Sequence, residues 1–150
     1  MAAASIQTKS NSKLTFSRSL LAGAIAIALS VIANLVIRWL GLLIVPVDPG
    51  FMPLSTWQPV AIMTTLFLVV ATIVFLVINA FAANPPRVFS IVALIALIIS
   101  LIPNVLMLFN SAPLPNLGTP TPGAAIILML QHVAAYAITV WAFTRWAPQP

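Results

Sequence analysis

Four long apolar segments occupy most of this 150-residue chain. They run over residues 20–47, 60–83, 88–109 and 124–143. A helix needs about 20 apolar residues to cross a hydrocarbon layer about 30 Å thick, and each segment reaches that length. Because 62% of the residues are hydrophobic and only 5% are charged, a water-soluble domain could not cover itself with polar surface. The segments therefore predict an all-α membrane protein, an antiparallel bundle of four transmembrane helices.

The segments and their short connections leave no room for a second domain. We expect a single membrane domain over residues 18–146. The stretch before it, residues 1–17, is polar and free of acidic side chains, which predicts a disordered cytoplasmic tail. An organellar transit peptide has a similar composition, so the sequence leaves the processing of this tail open. Residues 147–150 are expected to form a short C-terminal tail.

Positive charges flank the apolar segments and predict how the chain crosses the membrane. They lie before the first segment, in the second connection and after the fourth segment: Lys9, Lys13, Arg18, Arg87 and Arg145. The first and third connections carry none. Because cytoplasmic connections are enriched in cations, both termini should be cytoplasmic. The sequence thus predicts a multi-pass membrane protein.

The residue types on which most enzyme chemistry depends are scarce. The chain has no cysteine, which excludes thiolate catalysis, iron–sulfur clusters and cysteine zinc sites. One histidine, His132, and one acidic residue, Asp48, do not suffice for a metal site or a general acid–base pair. We therefore expect no catalytic residues, no cofactor, no metal and no enzyme activity. The net charge of +5 does not indicate nucleic-acid binding, because the cations form no basic stripe among aromatic residues.

Small and polar residues interrupt each apolar segment at helical spacing. In the first segment they recur at every fourth position: Ala22, Ala26, Ser30, Asn34 and Arg38. Residues four apart share one face of a helix, and small side chains let a neighbouring helix approach closely. Because exposing polar groups to lipid is costly, we expect these faces to point into the bundle.

Polar residues of the four segments fall at similar depth if consecutive helices run in opposite directions. Counted at 1.5 Å per residue, the outer half of the bilayer contains one set of candidate site residues. They are Asn34, Arg38, Thr64, Asn104, Gln131 and His132. The set predicts either an outward-facing polar cavity or hydrogen bonds that hold the helices together. For His132 the two interpretations are a neutral ring bonded to Asn34, Asn104 or a backbone carbonyl, and a group that contacts a ligand.

Arg38 is the most costly residue of the chain to place. A charged side chain deep in a span costs ~2.5–3.5 kcal/mol. One interpretation is that its side chain extends to the outer headgroups beside Trp39. The other is that it forms an ion pair with Asp48 and that the two residues shape the mouth of a cavity. The sequence leaves both open.

Short motifs along the chain resemble those of a bacterial family of four-transmembrane-helix proteins of unknown function. They are Ala22-Gly23, Ala33-Asn34, Val45-Pro46-Val47, Arg87-Val88-Phe89, Ser100-Leu101-Ile102-Pro103 and His132-Val133-Ala134-Ala135. The resemblance covers residues 20–146 and implies the four-helix fold and a bacterial inner membrane. It implies no activity. Gln131, Arg38 and the long third connection depart from the family's pattern.

Two functions remain compatible with the sequence. The first is a structural or accessory component of a membrane assembly, in contact with the lipid bilayer and with other membrane proteins or further copies of itself. The second is a binding or carrier protein for a small amphiphile, such as a lipid or quinone headgroup. A dry core in which His132 is hydrogen-bonded favours the first. An outward-opening cavity lined by Arg38, Asn104 and His132 favours the second.

Overall fold

The computed structural model describes residues 13–145, which form five helices. These are α1 (Phe16–Ile44), α2 (Met52–Ser55), α3 (Trp57–Phe81), α4 (Pro85–Phe109) and α5 (Pro122–Arg145). All except α2 are long and apolar enough to cross a membrane. Within the described residues there is no β-strand, only an isolated bridge between Leu114 and Gly118. The expectation of an all-helical protein with four candidate membrane spans is confirmed.

The four long helices begin earlier than the apolar segments that predicted them. In α1, α4 and α5 a side chain caps the first turn, which hydropathy does not register, whereas α3 has no side-chain cap. Thr15 and Asn84 accept hydrogen bonds from the backbone N–H groups at the starts of α1 and α4, and Thr121 does so for α5. Pro85 and Pro122 occupy first helical positions, where a missing N–H costs nothing. Capped first turns therefore extend α1, α4 and α5 beyond their apolar segments.

The chain just before α1 is fixed to the end of α3. Residues 1–12 of the predicted tail lie outside the described residues, as do residues 147–150. Leu14, by contrast, is buried, and the Asn79 side chain accepts from its N–H at 3.0 Å and donates to its carbonyl at 2.8 Å. Lys13 Nζ donates to the Ala80 carbonyl at 2.9 Å. The described part of the predicted tail is thus packed on the bundle.

The four long helices form a ring in chain order, so that α1 is flanked by α3 on one side and by α5 on the other. α4 packs along α5 and only loosely along α3. In the most apolar 18-residue window of each helix, 28% of the residues of α1 and of α5 are buried, against 6% for α4. α1 and α5 are therefore the most buried of the four long helices, and α4 is the least buried, with a wide apolar surface.

Three aromatic rings close one end of the bundle. Phe75 of α3 stacks on Phe143 of α5 at 4.2 Å between ring centroids, and Phe89 of α4 meets their edges at 5.2 and 5.0 Å. Leu14 and Ala22 complete this buried cluster. Such offset and edge-to-face pairs stabilise beyond the burial of area alone. We call this end, where Lys13, Arg18, Arg87 and Arg145 lie, the basic end.

The opposite end is covered by the two connections that precede α3 and α5. Phe51 and Leu54 of the first connection are buried in a second apolar cluster with residues of α3 and α5. The connections are also bonded together, because the Met52 N–H donates to the Leu117 carbonyl at 2.8 Å. Gly118, at φ +86°, lies directly against the backbone of Gly50, which leaves no room for a side chain. We call this end the capped end.

The small-residue face of α1 is buried, as its spacing predicts. Ala22, Ala26, Ser30 and Asn34 all belong to the buried residues of this helix. Beside them, a Cβ atom added to Gly23 would lie 2.5 Å from Oγ1 of Thr72 on α3. The absence of a side chain at this position is therefore what permits the close approach of α1 and α3.

We expect Gly23→Ala to lower the free energy of unfolding by about 1–3 kcal/mol, because the added methyl group overpacks the contact with Thr72. The sign is informative, since Gly→Ala inside a helix otherwise stabilises by up to about 1 kcal/mol. Thr72→Ala should restore most of the loss in the double variant. Thermal and denaturant unfolding in lipid nanodiscs measure the cycle. A Gly23→Ala variant as stable as the wild type would contradict the close approach.

Candidate functional site

Asn34 is the residue at which polar contacts of the bundle meet. Its side chain is 4% exposed, and its Nδ2 donates to Oγ1 of Thr64 on α3 at 2.9 Å. Its backbone carbonyl accepts a hydrogen bond of 3.0 Å from Nε2 of Gln131 on α5. The structure thus brings together three of the six candidate site residues and joins α1, α3 and α5 through them. Both bonds lie inside apolar surroundings, where water does not compete.

Asn104 and His132 do not join these contacts. Asn104 is buried, but its Nδ2 donates to the Ser100 carbonyl of its own helix at 2.9 Å. Nδ1 of His132 lies 2.7 Å from the Leu128 carbonyl, also on its own helix. Of the three partners that the sequence left open for this histidine, the structure has the backbone carbonyl. Because a carbonyl only accepts, Nδ1 is the donor in this contact, and in the Nδ1–H tautomer Nε2 is an acceptor.

Arg38 holds α2 in place rather than pairing with an acid. Its Nε donates to the Leu54 carbonyl and its Nη2 to the Ser55 carbonyl, each at 3.0 Å. These are carbonyls of the last turn of α2, which have no partner within so short a helix. A guanidinium satisfies both and complements the negative end of the helix. Sequence reasoning missed this role because nothing in it predicted α2.

The candidate ion pair between Arg38 and Asp48 is not formed among the described residues. Oδ1 of Asp48 accepts a 2.7 Å hydrogen bond from the N–H of Gly50 instead. A short polar side chain that bonds to the backbone two residues ahead stabilises a turn. Asp48 therefore bonds within the connection before α2, whereas Arg38 bonds to α2 itself.

Three buried side-chain oxygens have no hydrogen-bond partner within the described residues: Ser30 Oγ, Asn34 Oδ1 and Thr139 Oγ1. They belong to α1 and α5. Other helix hydroxyls, such as that of Thr72, donate to a carbonyl of their own helix. Residues 13–145 contain no group of three or more His, Cys, Asp or Glu that could hold a metal ion. The chemistry available in the bundle is therefore that of neutral amides, hydroxyls and one imidazole.

Asn79 is a polar residue of this bundle that the candidate set omits. It clamps both backbone polar groups of Leu14 and so fixes the entry of the chain into α1. The signal for it was present, because Asn79 follows Thr64 and Thr72 at helical spacing along one face. Its depth, far from the other candidates, is what kept it out of the set.

We expect Asn34→Ala and Thr64→Val to be coupled, because each removes the same interhelix hydrogen bond. A double-mutant cycle on the free energy of unfolding should give a coupling of about 0.6 kcal/mol, and at most about 1.7 kcal/mol, as for other hydrogen bonds between membrane helices. Asn104→Ala is the matched control, since its amide bonds within its own helix. It should show no coupling to Thr64→Val. Additive losses for Asn34 and Thr64 would contradict the bond.

Arg38→Gln should release α2, because the glutamine amide cannot reproduce both charge-assisted hydrogen bonds. Loss of such bonds, worth about 1.5–3 kcal/mol each, predicts amide exchange around Leu54 that is faster by at least about tenfold. Hydrogen–deuterium exchange read by mass spectrometry measures it. Asp48→Asn tests whether Arg38 acts through the α2 carbonyls or through an ion pair with Asp48. It should leave exchange in α2 unchanged, whereas an ion pair would make the two variants alike.

Comparison with protein families matches residues 11–149 to a family of unknown function (DUF6069). Comparisons with curated proteins and with solved structures give no match. The family match and the four apolar helices agree with the resemblance drawn from the sequence, while the individual motifs stay a prediction. Because the match covers nearly the whole chain, this protein belongs to the family of unknown function DUF6069.

Proposed function

We propose that this protein is a structural or accessory component of a membrane assembly and has no catalytic activity. The observation that carries the proposal is how its intramembrane polar groups are used. Thr64 and Gln131 each bond to Asn34, which links three helices. Such bonds stabilise the bundle and are not free to exchange for a substrate. Arg38, the one charged residue within the apolar segments, is likewise bonded to the protein itself.

The proposal includes a topology in which consecutive membrane helices are antiparallel and both termini are cytoplasmic. Two contacts support it: Lys13 at the start of α1 meets the end of α3, and Asn34, farther along α1, meets the start of α3. The cations of the basic end support the orientation, because cytoplasmic connections are enriched in lysine and arginine. The membrane that fits this pattern is a bacterial inner membrane.

The surface that would meet another membrane protein, or a second copy of this chain, is best supplied by α4. Only 6% of the residues in its most apolar window are buried, so α4 has a wide apolar surface that points away from the bundle. Packing between membrane helices needs no polar group and is driven by van der Waals contact. A partner can therefore bind to the exposed side of α4 without disturbing the contacts of α1 with α3 and α5.

A second candidate is the binding of a small amphiphile, such as a lipid or quinone headgroup. The specific observation in its favour is that Nε2 of His132 and Oδ1 of Asn34 are acceptors without a partner among residues 13–145. A ligand that carries a hydroxyl or an N–H group could donate to either. If the protein binds such a ligand, substitution of His132 should weaken binding more than loss of the hydrogen bond between Asn34 and Thr64.

Asn34→Ala and His132→Ala separate the two functions. A structural role predicts that Asn34→Ala lowers the melting temperature in nanodiscs by a few degrees, whereas His132→Ala does not, since its bond to Leu128 is local. Ligand binding predicts that a short-chain quinone raises the melting temperature of the wild type and that His132→Ala abolishes the rise. Melting curves of both variants, with and without the quinone, decide between them.

The accessory role has a second readout in native membranes. Extracted in mild detergent, the 16.0 kDa chain should migrate on native gels as part of a much larger assembly. The His132→Ala variant should migrate as part of the same assembly. Migration of the wild type at its own mass, without partner or second copy, would contradict the accessory role.

A further inference from the structure

Four cations that are far apart in sequence come together at the basic end. Lys13 and Arg18 flank the start of α1, Arg87 lies in the first turn of α4, and Arg145 is the last residue of α5. All four are exposed. Three separate parts of the chain thus contribute positive charge to the same end of the bundle.

Contacts between the helices place these cations in one layer. Nζ of Lys13 donates to a carbonyl in the last turn of α3 at 2.9 Å. The rings of Phe89 and Phe143 are 5.0 Å apart, which fixes α4 and α5 at the same level. Arg87 and Arg145 each lie two residues beyond these rings, toward the end of the bundle. The charges therefore surround the closed aromatic cluster rather than being spread along the helices.

No acidic side chain of the described residues balances this layer. Asp48 is the one acidic residue of the whole chain, and it lies at the capped end, bonded to the Gly50 N–H. The side chains of Arg18 and Arg87 make no hydrogen bond or ion pair with other residues of the range 13–145. Nothing within this range occupies the two guanidinium groups, which can therefore bind an anion from outside.

The layer lies at the ends of helices that are long and apolar enough to cross a membrane, which is the depth expected for phospholipid headgroups. Each cation flanks a helix long and apolar enough to cross a membrane. Trp141, of a residue type enriched at the membrane interface, lies beside Arg145, with 5.7 Å from the guanidinium carbon to the ring centroid. Long basic side chains keep their stems along the hydrocarbon while the charged heads reach the phosphates.

We propose that the basic end binds anionic phospholipids, with Arg18 and Arg87 as the principal contacts and Lys13 and Arg145 adding charge. An anionic headgroup fits better than an acidic protein segment, because the cations surround the helix ends at headgroup depth. A cation close to an anionic membrane surface strengthens binding about fivefold. The inference does not depend on the proposed accessory function.

The test reconstitutes the full chain in vesicles of equal parts phosphatidylglycerol and phosphatidylcholine. After extraction in mild detergent, native mass spectrometry gives the ratio of the two lipids retained. We expect the wild type to be enriched in phosphatidylglycerol. Arg18→Gln combined with Arg87→Gln should lower this enrichment about 25-fold, since two cations worth about fivefold each are removed. Equal retention of both lipids by the wild type would overturn the proposal and favour an acidic protein segment instead.

A charge-retaining double variant is the matched control. Arg18→Lys with Arg87→Lys should keep the enrichment, because point charges suffice for a fluid headgroup layer. If the glutamine variant does not fold, the wild type at about 0.5 M salt replaces it, where screening within about 4 Å should abolish the enrichment. Enrichment that survives either neutralisation or high salt would show that these charges do not select the lipid.

Discussion

The bundle depends on Asn34, through which three of its four membrane helices are joined. Its amide reaches Thr64 on α3 and its backbone carbonyl receives Gln131 from α5. An amide in hydrocarbon without partners is costly, so each of these bonds both satisfies a polar group and fixes a helix. The small residues of α1 below Asn34 then allow close approach without a further polar contact. The hydrogen bonds at Asn34 and the small-residue face of α1 thus together set the register of the helices.

The two ends of the bundle are closed by different means. At the basic end, packed aromatic rings bring α3, α4 and α5 together. The hydrogen bonds between Asn79 and the backbone of Leu14 attach the residues just before α1 to α3. At the capped end, Arg38 fixes α2 and the third connection is bonded over it. The basic end carries uncompensated positive charge, whereas the capped end holds one cation and one acid. This difference is what makes the basic end the suitable side for an anionic partner.

Sequence patterns sufficed for the helices because membrane spans obey strong constraints of length and hydropathy. The buried face of α1 followed from i, i+4 spacing alone, and Asn34 was identified as a site residue by depth. The partners were harder. His132 bonds to a carbonyl four residues earlier, a choice that any helical histidine has and that spacing cannot decide. For Arg38 the sequence left two interpretations open, and neither included its acceptors, which are backbone carbonyls of α2, a four-residue helix without a hydropathy signal.

The unpartnered oxygens of Ser30 and Thr139 show where the bundle forgoes a hydrogen bond. Ser30 lies on α1 and Thr139 on α5, and both hydroxyls are buried without a partner among residues 13–145. Leaving a buried hydroxyl unpaired costs about 1–3 kcal/mol. Thr72 and Thr144, by contrast, donate to a carbonyl of their own helix. The hydrogen bond that joins α1 to α5 is therefore made by the Gln131 amide and the Asn34 carbonyl, and not by these two hydroxyls.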